Sequence, residues 1–185
     1  FDYQENIYAG YLSYEFSKEK LNIKAGIRAE QTSLENSSSE TDKNKRDYFE
    51  IFPTANFSYQ FSEKASTYLT YKRSIQRPNY SNLNPFKFYL NDNTVVTGNP
   101  DLKPVFNNSF LLGTTLNDKF TIEAYYRSYK NNIFELPLQD NSTNIITYTP
   151  LNIDETVEIG FDFETYFDVL DNWFLYFGTS IFNFN

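Results

Sequence analysis

Leu21–Gln31 reads LNIKAGIRAEQ, and its alternation decides the fold. Leu21, Ile23, Ala25, Ile27 and Ala29 make one unbroken apolar row, while Asn22, Lys24, Gly26, Arg28 and Glu30 make a polar one. A period of two over this length is the signature of a strand with two unlike faces, and no helical stripe fits it. Upstream, Glu5–Phe16 alternates in the same way, with Tyr8, Leu12, Tyr14 and Phe16 on one face. Downstream, Asp47–Phe61, Ala65–Gln76, Val105–Leu116, Phe120–Lys130, Thr156–Phe167 and Trp173–Phe184 repeat it. Pro53 cannot donate to a ladder, so it is expected at a bulge or where pairing lapses.

The connections carry the second signal. Ser17–Lys20, Ser62–Lys64, Asn117–Lys119 and Asp168–Asn172 are short and polar. They alternate with long segments: Thr32–Arg46, read as a solvated loop; the stretch after Tyr71; and Asn131–Tyr148, read as a loop with room for a small hairpin near Asp140–Asn141. Short turns at one end and long loops at the other describe an antiparallel up-and-down transmembrane β-barrel, its turns periplasmic and its loops extracellular. Strands of about 11 residues, at ~3.3 Å per residue and ~45° tilt, span roughly 25 Å, the height of an apolar band. The predicted class is all-β, a barrel segment of about eight strands. Phe16, Phe61, Phe120, Phe167 and Trp173 stand beside the short turns, where an interfacial girdle belongs. A soluble sandwich with aromatic-rich edges is the competing reading.

Composition agrees and excludes much else. Phe 19 and Tyr 16 against Trp 1 give 19% aromatics, which suits strands. The mean hydropathy of −0.58 does not oppose a membrane location, because a barrel shows lipid only every second residue. No run approaches the ~18 apolar residues of a membrane helix. Cys, Met and His are absent, which removes thiolate chemistry, the commonest soft-metal sites and every hydrolase design built on a histidine base. A net charge of −8 argues against nucleic acid as a partner. Neither an enzyme nor a cofactor-binding protein is expected.

The stretch Tyr71–Pro104, YKRSIQRPNYSNLNPFKFYLNDNTVVTGNPDLKP, breaks the alternation and holds four of the seven prolines. Pro78, Pro85, Pro100 and Pro104 fix φ and disfavour helix before them. Asn84-Pro85 and Asn99-Pro100 read as turn initiators, and Gly98 as a residue free to take a positive φ. A compact, mainly structural loop capping the barrel mouth follows, with Arg77, Pro78, Asn84, Pro85, Gly98, Asn99, Pro100 and Pro104 as its framework.

These residues carry a resemblance. Tyr71–Pro78, Leu83–Phe86 and Gly98–Pro104, with weaker support from Phe1–Tyr11 and Gly26–Glu30, resemble the TonB-dependent outer-membrane receptors, in the group of outer membrane β-barrel family proteins. The resemblance implies the outer membrane of a Gram-negative bacterium and a large barrel that imports a scarce nutrient such as a siderophore, glycan, peptide or cobalamin. It also implies contact with lipid, with TonB through a plug domain, with a small ligand and with a surface lipoprotein. Eight strands are too few for such a transporter, so residues 1–185 are expected to be one partial barrel domain, with plug and remaining strands elsewhere. A self-contained eight-stranded barrel acting as anchor or adhesin is the alternative.

Two groups of side chains are candidates for contact chemistry. Tyr80, Phe86, Phe88 and Tyr89 in the long loop are suited to stack on a ligand, or to pack the loop on itself. Glu158, Asp162 and Glu164 share a strand face, where they either bind a hard cation or line a polar lumen beside Lys24, Arg28 and Arg127.

Overall fold

The computed structural model describes residues 1–39 and 42–185. Eight long strands form one antiparallel wall in sequence order: β1 (Asp2–Lys18), β2 (Leu21–Ser39), β3 (Asp42–Ser62), β4 (Ala65–Gln76), β7 (Val105–Leu116), β8 (Phe120–Asp140), β9 (Ile145–Leu170) and β10 (Trp173–Phe184). Between β4 and β7 lie a one-turn helix α1 (Tyr80–Leu83) and two short strands, β5 (Phe88–Asn91) and β6 (Thr94–Val96). The sheet therefore has ten strands, eight in the wall and two from the proline-rich loop. Among the described residues β1 pairs only with β2 and β10 only with β9, so the wall is open.

Register keeps the two faces apart. Leu12 pairs with Ile27, Phe57 with Leu69, and Leu69 with Leu112, which joins apolar positions across neighbouring strands. Tyr8, Leu12, Ile27, Leu69, Leu112 and Phe161 are all exposed on that face. A continuous exposed apolar surface of this extent belongs against lipid. The opposite face carries Lys24, Asn56, Thr70, Glu123 and Asp162. The left-handed residues Asn117 and Asp118 (φ 52° and 53°) close β7–β8 tightly, a conformation that Asn and Asp tolerate better than most.

Two expectations need correction. Thr32–Arg46 is not a loop: β2 continues to Ser39 and β3 resumes at Asp42, paired from Leu34↔Arg46 to Ser39↔Asp42. Residues 40 and 41, the middle of that predicted loop, lie outside the described residues. Asn131–Tyr148 is likewise mostly ladder, with β8 running to Asp140 and β9 starting at Ile145. Both hairpins rise past the apolar band, where the outer face meets water and no longer has to be apolar. The backbone ladder persists there, while the apolar alternation is lost in Thr32–Ser37 and, in Phe134–Gln139, is interrupted only by Pro137.

The wall is consequently uneven. β4 and β7 have 12 residues each, whereas β3 and β8 have 21. Pairing of β3 with β4 begins at Thr54↔Lys72, and pairing of β7 with β8 stops at Phe106↔Lys130. Above those points the tall β2–β3 and β8–β9 hairpins flank a notch. Pro53 sits at its lower corner, where the β4 ladder lapses. Arg73 takes over there, donating to the Ile51 carbonyl at 3.0 Å and pairing with Glu50 at 2.7 Å.

Candidate functional site

The proline-rich loop fills this notch and is fastened to both flanking hairpins. On the β1–β3 side the anchor is Arg77. Its Nη2 lies 2.7 Å from Glu30 Oε2 and donates to Thr32 Oγ1 at 3.1 Å, and its Nε lies 3.0 Å from Glu5 Oε1. Arg28 holds the other Glu30 oxygen at 2.7 Å. Two arginines thus face two carboxylates, and the cluster is neutral. It is also secluded: Glu30 is 4% exposed and Thr32 fully buried. Burial, reinforced by the neighbouring Glu5 carboxylate, pushes the Tyr3 phenol up to about 12, so it stays protonated beside the cluster. Higher on the same side, Asn36 donates to the Pro100 carbonyl and Arg46 to the Leu102 carbonyl, at 3.2 and 2.7 Å.

On the β8–β9 side the fastening imitates a strand. β6 pairs in parallel with β9 through Val95↔Thr147. The Asn152 side chain then takes the part of a neighbouring peptide: Oδ1 accepts from Lys103 N at 2.8 Å, and Nδ2 donates to Lys103 O at 3.0 Å. The same Nδ2 reaches the Asn131 carbonyl at 2.8 Å. Asn131 has a left-handed φ of 57°, and neither it nor Asp154 is paired in the β8–β9 ladder.

Inside the loop, the framework residues meet. Asn79 caps α1 by accepting from Asn82 N at 2.8 Å. Asn84 and Asn99 each accept from the amide two residues on, Phe86 and Asp101, which closes the expected turns. Gly98 does not have a positive φ. What it supplies is closeness: a Cβ there would stand 2.5 Å from the Asn84 carbonyl and 2.7 Å from that of Asn82. That approach lets Gly98 N and Asn99 N bond those two carbonyls at 2.9 and 2.7 Å. Leu83 and Leu102 are buried beneath, beside Pro78 and Pro104, around a cavity of about 10 Å³, room for roughly one water.

The four loop aromatics are not gathered into one pocket. Tyr80 stacks near Phe1 (5.6 Å between ring centres) and donates to its carbonyl, whereas Phe86, Phe88 and Tyr89 are more than 60% exposed. On the lower polar face, Glu158 pairs with Arg127 at 3.2 Å, while Lys24 turns to Glu15 and Arg28 to Glu30. Among the described residues no acidic group is arranged to hold a metal. Tyr68 donates to Glu123, and its ring covers Gly113 across the strand gap; Tyr125 covers Gly160 in the same manner. Sequence reasoning passed over Glu5, Thr32, Asn131 and Asn152. It did hold a clue to Glu30, since Gly26–Glu30 and Arg77-Pro78 belong to one resemblance and are in contact here.

A family model described as "Outer membrane protein beta-barrel family" matches residues 1–185. Comparison with curated proteins yields no match. Among solved structures, one titled "Copper transporter OprC" superposes with a TM-score of 0.68 at 14% identity, covering 97% of this chain and 29% of that one. The siderophore receptor PirA from Pseudomonas aeruginosa gives 0.60 at 14%, covering 98% and 43%. The FrpB iron transporter from Neisseria meningitidis gives 0.64 at 11%, covering 97% and 26%. The chain spans less than half the length of each, and likeness at such identity concerns the fold.

Proposed function

Because the chain belongs to the outer membrane protein β-barrel family, and so resides in the outer membrane of a Gram-negative bacterium, we propose that it forms part of the wall of a TonB-dependent transporter importing a scarce nutrient. The observation that carries this is the family match over the whole chain, together with an open eight-strand wall that fits within much longer transporter and receptor folds. In this reading residues 1–185 supply wall and mouth. A plug domain elsewhere in the polypeptide receives energy from TonB, and a surface lipoprotein is a candidate partner at the mouth.

The residues set how the mouth works. The Arg77 cluster and the Asn152 clasp fix the loop between the tall hairpins, so the mouth has a rigid side. Phe86, Phe88 and Tyr89 project from that rigid base and are placed to stack on a ligand without first being ordered, which lowers the entropic cost of capture. The work of this chain is to hold and orient a cargo, not to change it. The self-contained anchor finds no support in the pairing, since the free edges of β1 and β10 are not joined.

The test is uptake by cells carrying the full-length protein, supplied in turn with labelled ferric siderophore, copper, haem and glycan. Accumulation of one of them that stops when a protonophore collapses the proton gradient is the expected result. Accumulation indifferent to the gradient, or none above a strain lacking the protein, overturns the proposal.

A further inference from the structure

The two tall hairpins differ on their outer faces. On β2–β3 the apolar band ends where Phe49 lies beside Gln31. Above that level the same face turns polar and stays polar, with Ser33 beside Asp47 and Glu35 beside Lys45. Such a surface is at ease with water.

On β8–β9 the outer face turns polar and then apolar again. Within the band, Ile122, Ala124 and Tyr126 lie beside Phe163, Phe161 and Ile159. Next come Ser128 and then Lys130, the latter beside Glu155. At ~3.3 Å per residue and ~45° tilt, Lys130 stands roughly 23 Å above Phe120, the level of the outer interface. Asn131 and Asp154 are unpaired, yet Lys130↔Glu155 and Asn132↔Ile153 keep one register, so the even-numbered residues of β8 stay outward. These are now Phe134, Leu136 and Leu138, with Leu151 and Ile153 on the same face of β9. Phe134, Leu138 and Ile153 are 36%, 48% and 36% exposed. This second patch stands roughly 10–20 Å above the interface, clear of the lipid. It also faces away from the lumen, so cargo does not meet it. An exposed apolar patch rimmed by polar groups marks a protein contact. Further strands of a longer wall add to its edges and do not lie over its outer face, so the patch stays open in a full barrel.

The rim indicates what covers the patch. Lys130 and Glu155 stand side by side across the ladder, and neither enters an ion pair among the described residues. Glu155 accepts a hydrogen bond from Ser128 at 2.8 Å. A two-fold axis along the membrane normal exchanges left and right. It brings Lys130 of one copy toward Glu155 of the other, and the reverse, while apolar surface meets apolar surface. Two copies also share one orientation in the membrane, which lowers the rotational cost of association.

We propose that the outer face of the β8–β9 hairpin above the membrane is a homodimer contact, sealed by Phe134, Leu138 and Ile153 and keyed by reciprocal Lys130–Glu155 pairs. The contact goes beyond the transport reading and depends neither on the cargo nor on how uptake is energised. It sets two mouths side by side, both open outward.

The experiment uses the full-length protein in its outer membrane, expressed as two copies with different affinity tags. A photoreactive amino acid replaces Leu138 in one variant and Asp47, on the outer face of the other tall hairpin, in a second. The expected result is a crosslinked species carrying both tags, in about tenfold higher yield from position 138 than from 47. Crosslinks from 138 mainly to a different polypeptide, to lipid or within one chain, or equal yields from both positions, overturn the contact. The keying is read by charge exchange. A Lys130→Glu copy repels itself, as does a Glu155→Lys copy, whereas the two attract each other. Expressed together, they should form mixed pairs about tenfold in excess of either self-pair. Self-pairs as abundant as mixed pairs overturn the keying. Both kinds of pair contain the same folded chains, so a folding defect cannot imitate the expected result. If uptake proves independent of the proton gradient, the transporter reading fails while the crosslink still reports on the dimer.

Discussion

Replacing Arg77 by Met tests how the loop is held. The substitution keeps most of the side-chain volume and removes the charge. It breaks two contacts to carboxylates and one to a hydroxyl: Glu30 at 2.7 Å, Glu5 at 3.0 Å and Thr32 at 3.1 Å. Removing one partner of a buried ion pair costs about 3–5 kcal/mol, because the other charge is left unpaired. Here Glu30 retains Arg28 at 2.7 Å, so only Glu5 loses its counter-charge, and it keeps a hydrogen bond from Tyr3. The Arg77 side chain is also 21% exposed, which lets water compensate in part. A cost of roughly 2–3 kcal/mol follows, or about 30- to 150-fold in the ratio of docked to undocked loop. The effect is local, since no wall ladder includes Arg77. Hydrogen exchange on the full-length protein should therefore speed up across residues 78–104, while β4 and β7 stay protected. Arg77→Lys, which keeps the charge but loses the forked geometry, should fall between the two. Unchanged exchange in the loop, or loss of protection across the whole wall, would refute the reasoning.

Other substitutions probe the remaining fastenings. Gly98→Ala drives a methyl into the Asn82 and Asn84 carbonyls, both backbone, so the loop has to open and proteolytic cleavage between 79 and 99 should rise sharply. Asn152→Leu removes the amide that mimics a strand, at a net cost of about 1 kcal/mol because the Lys103 peptide groups are exposed and water takes over their bonds; faster exchange at Lys103 with an intact Arg77 side is the expected reading. The β8–β9 hairpin tip should respond to acid. Side-chain and backbone donors of Ser142, then Thr143, hold the Asp140 carboxyl below its ordinary range. A lowered folded value means the tip's extra order is complete above the unfolded carboxyl range, near pH ~4, and fades as pH falls through the folded value. Amide exchange at Ser142, corrected for its intrinsic pH dependence, should rise in acid, and Asp140→Asn should abolish that response.

The sequence disclosed the wall wherever lipid imposed a rule. Between Phe16 and Tyr8, or Phe61 and Ile51, every second residue had to be apolar, and that constraint is visible without a structure. It ends at the membrane surface. Thr32–Ser37 is strand without apolar alternation and so reads as loop, whereas Phe134, Leu136 and Leu138 do alternate with Glu135, Pro137 and Gln139, and Pro137 inside the run demoted it. The loop framework was legible through Asn84, Asn99 and the prolines because turn chemistry is local. Gly98 was assigned the wrong reason, because a close approach to a backbone fourteen residues away leaves no local trace. Glu5 and Asn152 were missed because their partners lie 72 and 49 residues away, and a polar residue on a strand gives no sign of whom it meets.

The intact mass of the native protein taken from its own outer membrane tests the central claim most directly. The account predicts a mass several times that of these 185 residues, as a wall segment of a larger transporter requires. A mass matching these residues alone would contradict it, because the open edges of β1 and β10 would then have to close on each other as a small barrel with no room for a plug or a path.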